Sequence, residues 1–184
     1  EHLANSWTWY AIQARQRRGA ALAMASAAAI AVGAYALPVY EIFKVGSDLH
    51  WQPGLDLLGP YGLELAIVTH WNNQEGGANL DTSRCFMGME RMDRLEGMLP
   101  PTTTVLGIDE HTAISLDVAD MTAHVTGRGG VTIRHTGHER RLENSETFDL
   151  DVLGAVRLPS LDEDLPDEVI QAVLAAEHPR EVAP

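Results

Sequence analysis

Three side chains in this sequence have the types needed to turn a hydroxyl group into a nucleophile: Ser26 in ALAMASAAAIAVG, His70 in AIVTHWNNQEGG and Glu110 in VLGIDEHTAI. A serine hydroxyl attacks poorly until a histidine takes its proton. The imidazole does this well only when a carboxylate fixes its tautomer and orientation. The chemistry so implied is acyl transfer to a serine followed by hydrolysis, with no metal and no cofactor in the expected set.

Positioning these groups requires rigid elements, and the apolar periodicity supplies candidates. Leu3, Trp7, Tyr10, Ala11 and Ala14 recur at helical spacing, with Gly19 as a stop, which predicts an amphipathic helix over the first eighteen residues. Residues 20–25 read as a short apolar strand, followed by a sharp turn at Ser26. A helix to about Ala36 comes next, ending before Pro38 because proline disfavours helical geometry in its predecessor. Residues 63–69 and 104–108 are short buried-strand candidates, and Phe86, Met89, Met92 and Leu95 place a helix within 80–99.

Strands alternating with helices imply an α/β fold, here flavodoxin-like, with a mostly parallel sheet and flanking helices. Residues 114–116, 124–125, 130–134 and 148–150 form a small antiparallel C-terminal portion, expected as an edge or a lid. The acidic run 158–167 contains Pro159 and Pro166, and Val169, Ile170, Val173 and Leu174 then mark a final helix. The expected organisation is an α/β domain over 1–157 and an acidic linker with a short helix over 158–184. A parallel sheet should open with a strand and a glycine-rich loop, whereas this chain opens on a helix. Part of the sheet is therefore expected upstream or on a partner chain, and a homo-oligomer is a second way to complete it.

Each candidate has a plain structural explanation beside the chemical one. A serine between strand and helix sits on a nucleophile elbow, with the next amide, that of Ala27, free for an oxyanion, or else it is simply a small residue packed at a junction. Elbows usually carry glycine two positions either side of the serine, where this chain has Met24 and Ala28. His70 follows a strand and precedes the polar loop 72–78, where an α/β domain presents functional groups, although a hydrogen-bonded structural histidine fits equally. Asp109 and Glu110 both lie just past a strand and either suits an imidazole, or either caps the turn at Thr112. Asn73 and Arg84 belong to the polar run after His70 and are expected to bind substrate, the guanidinium gripping a carboxylate; a surface ion pair with Glu90 or Asp81 is the alternative for Arg84. Cys85 reads as packing within a helix. His135 and His138, with His124 nearby, lack further ligands at metal-binding spacing and read as a solvent-facing turn. The Trp51, Pro53 and Gly54 cluster is expected to wall the site or pack beneath it.

Composition narrows the partners. Thirteen Lys+Arg against twenty-six Asp+Glu give a formal charge of -13, which disfavours nucleic acid and anionic membranes. The single cysteine makes no internal disulfide and fits a reducing compartment, so a cytoplasmic location is expected. Residues 19–40 are uncharged and follow Arg15, Arg17 and Arg18, imitating a signal peptide or span. The apolar part is mostly alanine, interrupted by Ser26, Gly33 and Pro38, and a strand followed by a helix accounts for it without a membrane.

Taken together, the SAAA turn at Ser26, the THWNNQEGG and DTSR run over 69–84 and the GIDEHTA block over 107–113 resemble the cyanophycinase and aspartyl dipeptidase family of serine peptidases, of the class I glutamine amidotransferase-like fold. The resemblance covers about residues 19–131, and GIDEHTA is its most specific block. It implies Ser26 as nucleophile, His70 as general base and Glu110, rather than Asp109, as the third member. It also implies half of an oxyanion hole at the amide of Ala27, the other half coming from a glycine-rich loop that this chain does not contain. The expected activity is hydrolysis of a peptide or small amide. The rival reading is a non-catalytic binding or regulatory domain on the same fold.

Overall fold

The structure is a computed structural model that describes residues 2–177. Two compact units are present: one joins both ends of the chain, residues up to 23 with those from 159, and the other spans 24–158. The larger unit ends at Leu158. The first helix, however, belongs with the tail and not with the α/β domain.

In the smaller unit, helix α1 (Trp7–Arg17) begins at Ser6, whose hydroxyl accepts the amide of Trp9 at 3.1 Å. That bond satisfies one of the donors a helix start leaves free. The stripe Tyr10, Ala11 and Ala14 packs against Leu165, Val169, Ile170 and Val173 around the C-terminal helix α4 (Asp167–Glu177). Ala14 and Val169 are wholly buried. Arg17 donates to the carbonyls of Ser160, Leu161 and Glu163, so the proline-containing run before α4 is tied to α1.

The larger unit is α/β. Its chain order is α2 (Ala27–Ala31), β1 (Tyr35–Ala36), β2 (Gln52–Pro53), β3 (Leu65–Val68), α3 (Gly88–Glu96), β4 (Thr104–Ile108), β5 (Thr112–Asp117), β6 (Thr122–Gly127), β7 (Val131–His135), β8 (His138–Leu142) and β9 (Thr147–Asp149). A six-stranded sheet runs β2-β1-β3-β4-β7-β8, and β5-β6-β9 form a separate antiparallel sheet. The pairs β1 with β3 and β3 with β4 are parallel, in the register Leu65↔Thr104 to Val68↔Gly107 for the latter. Strand β2 and the hairpin β7–β8 add antiparallel edges. Because β3 is covered on both faces it is apolar at every position, LAIV, and all four residues are buried. Strand β5, half-solvated, alternates instead.

Several expected elements differ. Residues 20–25 make no strand and are exposed; the place beside β3 is taken by β1, and small alanine side chains give an unpaired segment little reason to stay extended. Helix α2 stops at Ala31, short of Ala36. The helix expected within 80–99, with Phe86 on its apolar face, forms from Gly88, because Asp81 diverts the backbone before it: its carboxylate accepts the amides of Ser83 at 3.0 Å and Met89 at 2.9 Å. A short polar side chain that bonds nearby backbone competes with the helix in this way. Of the antiparallel strands, β7 joins the main sheet beside β4, with β8 as the edge strand beyond it. Strand β8, HERRL, has no alternation to announce it.

Candidate active site

Strands β3 and β4 are adjacent and parallel, so both end on the same sheet edge. His70 lies just past β3, and Asp109 and Glu110 just past β4. The two loops are held together by the Trp71 amide, which donates to the Ile108 carbonyl at 3.0 Å. Gly107 makes this approach feasible. A Cβ there would stand 2.3 Å from the Trp71 ring, so only a bare backbone lets the indole lie against β4. His70 itself has φ +53, a left-handed conformation, and its carbonyl accepts the amides of Asn73 at 3.2 Å and Cys85 at 3.1 Å. The positive φ values at Arg84, Cys85 and Phe86 form a left-handed turn that delivers the second of these donors.

Ser26 stands at the start of α2 with φ +49 and ψ −122, a conformation that costs an L-residue on the order of 1–3 kcal/mol. Its hydroxyl makes no capping bond to the helix. It lies instead 3.1 Å from Nε2 of His70. On the other side of the ring, Nδ1 is 3.1 Å from Oε1 of Glu110. A carboxylate can only accept, so Nδ1 carries the hydrogen and Nε2 turns its lone pair to the serine. Ala27 is the first residue of α2, and its N–H is one of those a helix leaves without an internal acceptor. The hydroxyl, imidazole and carboxylate are reachable from solvent: the His70 and Glu110 side chains are 36% and 34% exposed, and Ser26 is exposed. Met24 and Ala28, at the usual glycine positions, are exposed too, so their side chains do not crowd the turn.

Glu110 is held from two further directions. Asn73 donates its amide to Oε1 at 2.9 Å, and the Glu110 backbone N–H donates to Oδ1 of Asn72 at 2.8 Å. The Asn73 bond, then the His70 bond, keep the carboxyl below the ordinary glutamate value, so it is ionised at neutral pH. This revises the substrate-binding role expected for Asn73. The residue is 2% exposed, its nitrogen is spent on Glu110, and its oxygen accepts the Glu75 amide at 3.1 Å.

Arg84 also departs from expectation. Its guanidinium lies 4.2 Å over the Trp71 ring and donates to the Trp71 carbonyl at 3.2 Å, so it grips the loop behind His70 instead of extending toward a carboxylate. Burial lowers its pKa. Cys85 precedes α3 on the left-handed turn and is buried, which pushes its thiol up to about 11. His135 and His138 face each other across the β7–β8 hairpin, with His135 bonded to Thr104 Oγ1 at 3.1 Å. His124 is on β6 in the other sheet, where it meets Thr147. Among the described residues no three His, Cys, Asp or Glu side chains gather as a metal site would require. Trp51 donates its indole N–H to the Leu95 carbonyl at 2.9 Å and packs on the core. Among the described residues no helix is long and apolar enough to cross a membrane.

Nothing in the sequence marks Asn72, or Asn73 in this role, as a group that holds Glu110, nor Arg141 as the partner of Asp109. Asp109, the alternative third member, is turned away from the imidazole: its Oδ2 accepts the Gly130 amide at 2.9 Å and the guanidinium of Arg141. Thirty-two residues separate that pair, and no spacing rule links them.

No family model matches the chain. No curated protein matches it either. Among solved structures it is similar to the crystal structure of a peptidase from an acI-B1 Actinobacterium, at 15% identity and a TM-score of 0.43. The match covers 66% of this chain and 42% of that one, so this chain corresponds to less than half of the other's length.

Proposed function

We propose that this chain is a serine hydrolase of peptide or small amide bonds acting through Ser26, His70 and Glu110. The observation that supports this reading is that one imidazole touches both other groups through different nitrogens, 3.1 Å to the hydroxyl and 3.1 Å to the carboxylate. Ser26 Oγ attacks the carbonyl carbon while Nε2 of His70 takes its proton. The N–H of Ala27 faces the developing oxyanion. The amine leaves with the proton from Nε2, and water, deprotonated by the same nitrogen, releases the acyl group from the serine. Glu110 stays ionised throughout and stabilises the imidazolium. No cofactor has a step in this cycle. The buried, unpaired Cys85 accords with a reducing, cytoplasmic setting.

A fluorophosphonate probe tests the reading. Covalent modification of Ser26, absent in Ser26→Ala and strongly reduced in His70→Ala, is the expected result. A folded wild-type chain that takes up no probe favours the rival, a binding domain that retains the geometry without the chemistry.

A further inference from the structure

We infer that Arg141 is a positioning residue for the proposed hydrolase site: through buried Asp109 it fixes the strand end that carries Glu110, and thereby the orientation of the His70 imidazole. The inference rests on the reading of Ser26, His70 and Glu110 given above.

The side chain of Asp109 is 2% exposed and follows the last residue of β4 directly. Its Oδ2 accepts both of its hydrogen bonds, one from the Gly130 amide at 2.9 Å and one from Arg141, while Oδ1 has no partner among the described residues. A carboxylate withdrawn from water needs a paired cation and donors to stay in place. Arg141 supplies that cation from β8. Its planar guanidinium is anchored on three sides, to Asp109, to Thr132 Oγ1 at 3.3 Å and to Glu143 at 3.0 Å, a geometry a lysine cannot reproduce. The Asp109 amide donates in turn to the Gly130 carbonyl at 3.2 Å, so the Asp109 backbone and side chain are both clamped to the start of β7.

Glu110 is the next residue. Its amide is taken by Asn72 and its carbonyl by the Thr112 hydroxyl at 3.2 Å, which itself accepts the Gly129 amide at 3.0 Å. Gly129 lies against Asp109 so closely that a Cβ there would stand 2.6 Å from the aspartate. These bonds and the close approach of Gly129 tie the loop that carries Glu110 to Asp109, and Asp109 is held by a residue on the far strand of the hairpin. Releasing Arg141 leaves the carboxylate seeking water and carries Glu110 with it.

The test is made on the full chain. In ¹⁵N-edited NMR the His70 Nδ1–H bonded to Glu110 should give a resolved resonance that disappears in Glu110→Gln. Arg141→Gln should broaden or abolish it in protein that still unfolds cooperatively, and should slow Ser26 labelling on the order of tenfold. Arg140→Gln, the neighbour on the same strand, should leave both unchanged. If Arg141→Gln does not fold, the neutral pair Asp109→Asn with Arg141→Met removes the stranded charge and is read the same way. An unchanged resonance in either folded variant overturns the inference, as does its absence from the wild-type chain. Failure of the wild-type chain to label, with the resonance present and lost in Arg141→Gln, overturns the hydrolase reading and leaves the positioning role standing.

Discussion

Asn73 donates its side-chain amide to Oε1 of Glu110 at 2.9 Å, the same oxygen that faces His70 Nδ1, so one carboxylate oxygen is shared between a positioning amide and the imidazole. The bond has an electrostatic consequence. It is the largest influence lowering the Glu110 pKa. In Asn73→Ala the carboxyl therefore titrates at higher pH, which carboxyl NMR across the acid range reads directly. A group whose folded pKa is depressed stabilises above its unfolded value and loses that contribution as pH falls through the folded value. The stability gap between wild type and Asn73→Ala that comes from Glu110 accordingly closes below the ordinary value of 4.5. We expect roughly a 10- to 100-fold loss of rate at neutral pH, measured by labelling kinetics across pH.

Ser26 holds a backbone conformation with φ +49 that glycine adopts freely and alanine does not. Ser26→Gly and Ser26→Ala should both be inert to a fluorophosphonate. The glycine variant should nonetheless unfold at higher urea, by about 1 kcal/mol relative to the alanine variant. Equal midpoints would mean that the turn carries no strain.

Gly107 sits under the Trp71 ring, and an added methyl must displace backbone or indole. Gly107→Ala should destabilise by roughly 1–3 kcal/mol through overpacking. It should also slow labelling of Ser26, because His70 precedes Trp71 directly. Chemical denaturation with tryptophan fluorescence reads the first effect and probe kinetics the second.

Cys85 is 4% exposed, with its thiol raised to about 11, chiefly by burial. A thiol reagent at neutral pH should react at the rate of unfolding, and immediately in denaturant. Rapid reaction of the native chain would contradict the burial.

How much of this was legible in the sequence depends on whether the determining contacts are local. The strands β3 and β4 were found because an apolar run of four or five residues bounded by polar ones has one ready explanation, a strand buried on both faces. The helix expected over the first eighteen residues and the final helix marked by Val169 to Leu174 are legible in their 3.6-residue periodicity, though not that they pack on each other. Within 80–99 the helical spacing begins at Phe86, whereas the helix begins at Gly88, because Asp81 and the left-handed turn at Arg84 to Phe86 occupy the residues before it. Strands β1 and β2, two residues each, have no pattern at all.

The site divides along the same line. Residue chemistry and position at strand ends are enough to single out His70 and the Asp109–Glu110 pair, because loops after adjacent parallel strands gather on one edge; Ser26 is singled out by a strand expected over 20–25 that does not form, and it meets His70 from the start of α2. Residue chemistry by itself leaves both neighbouring carboxylates open, with only the family resemblance favouring Glu110, and it assigns Asn73 and Arg84 to a substrate. Only the tertiary structure turned Glu110 to the imidazole and Asp109 to Arg141, buried Asn73 behind the carboxylate, and laid Arg84 on Trp71. The physical reason is that adjacent residues at a strand end point in different directions. Which of them meets the histidine is fixed by partners on β8 and in the 72–73 loop, and such distant pairings leave no periodic trace in the chain.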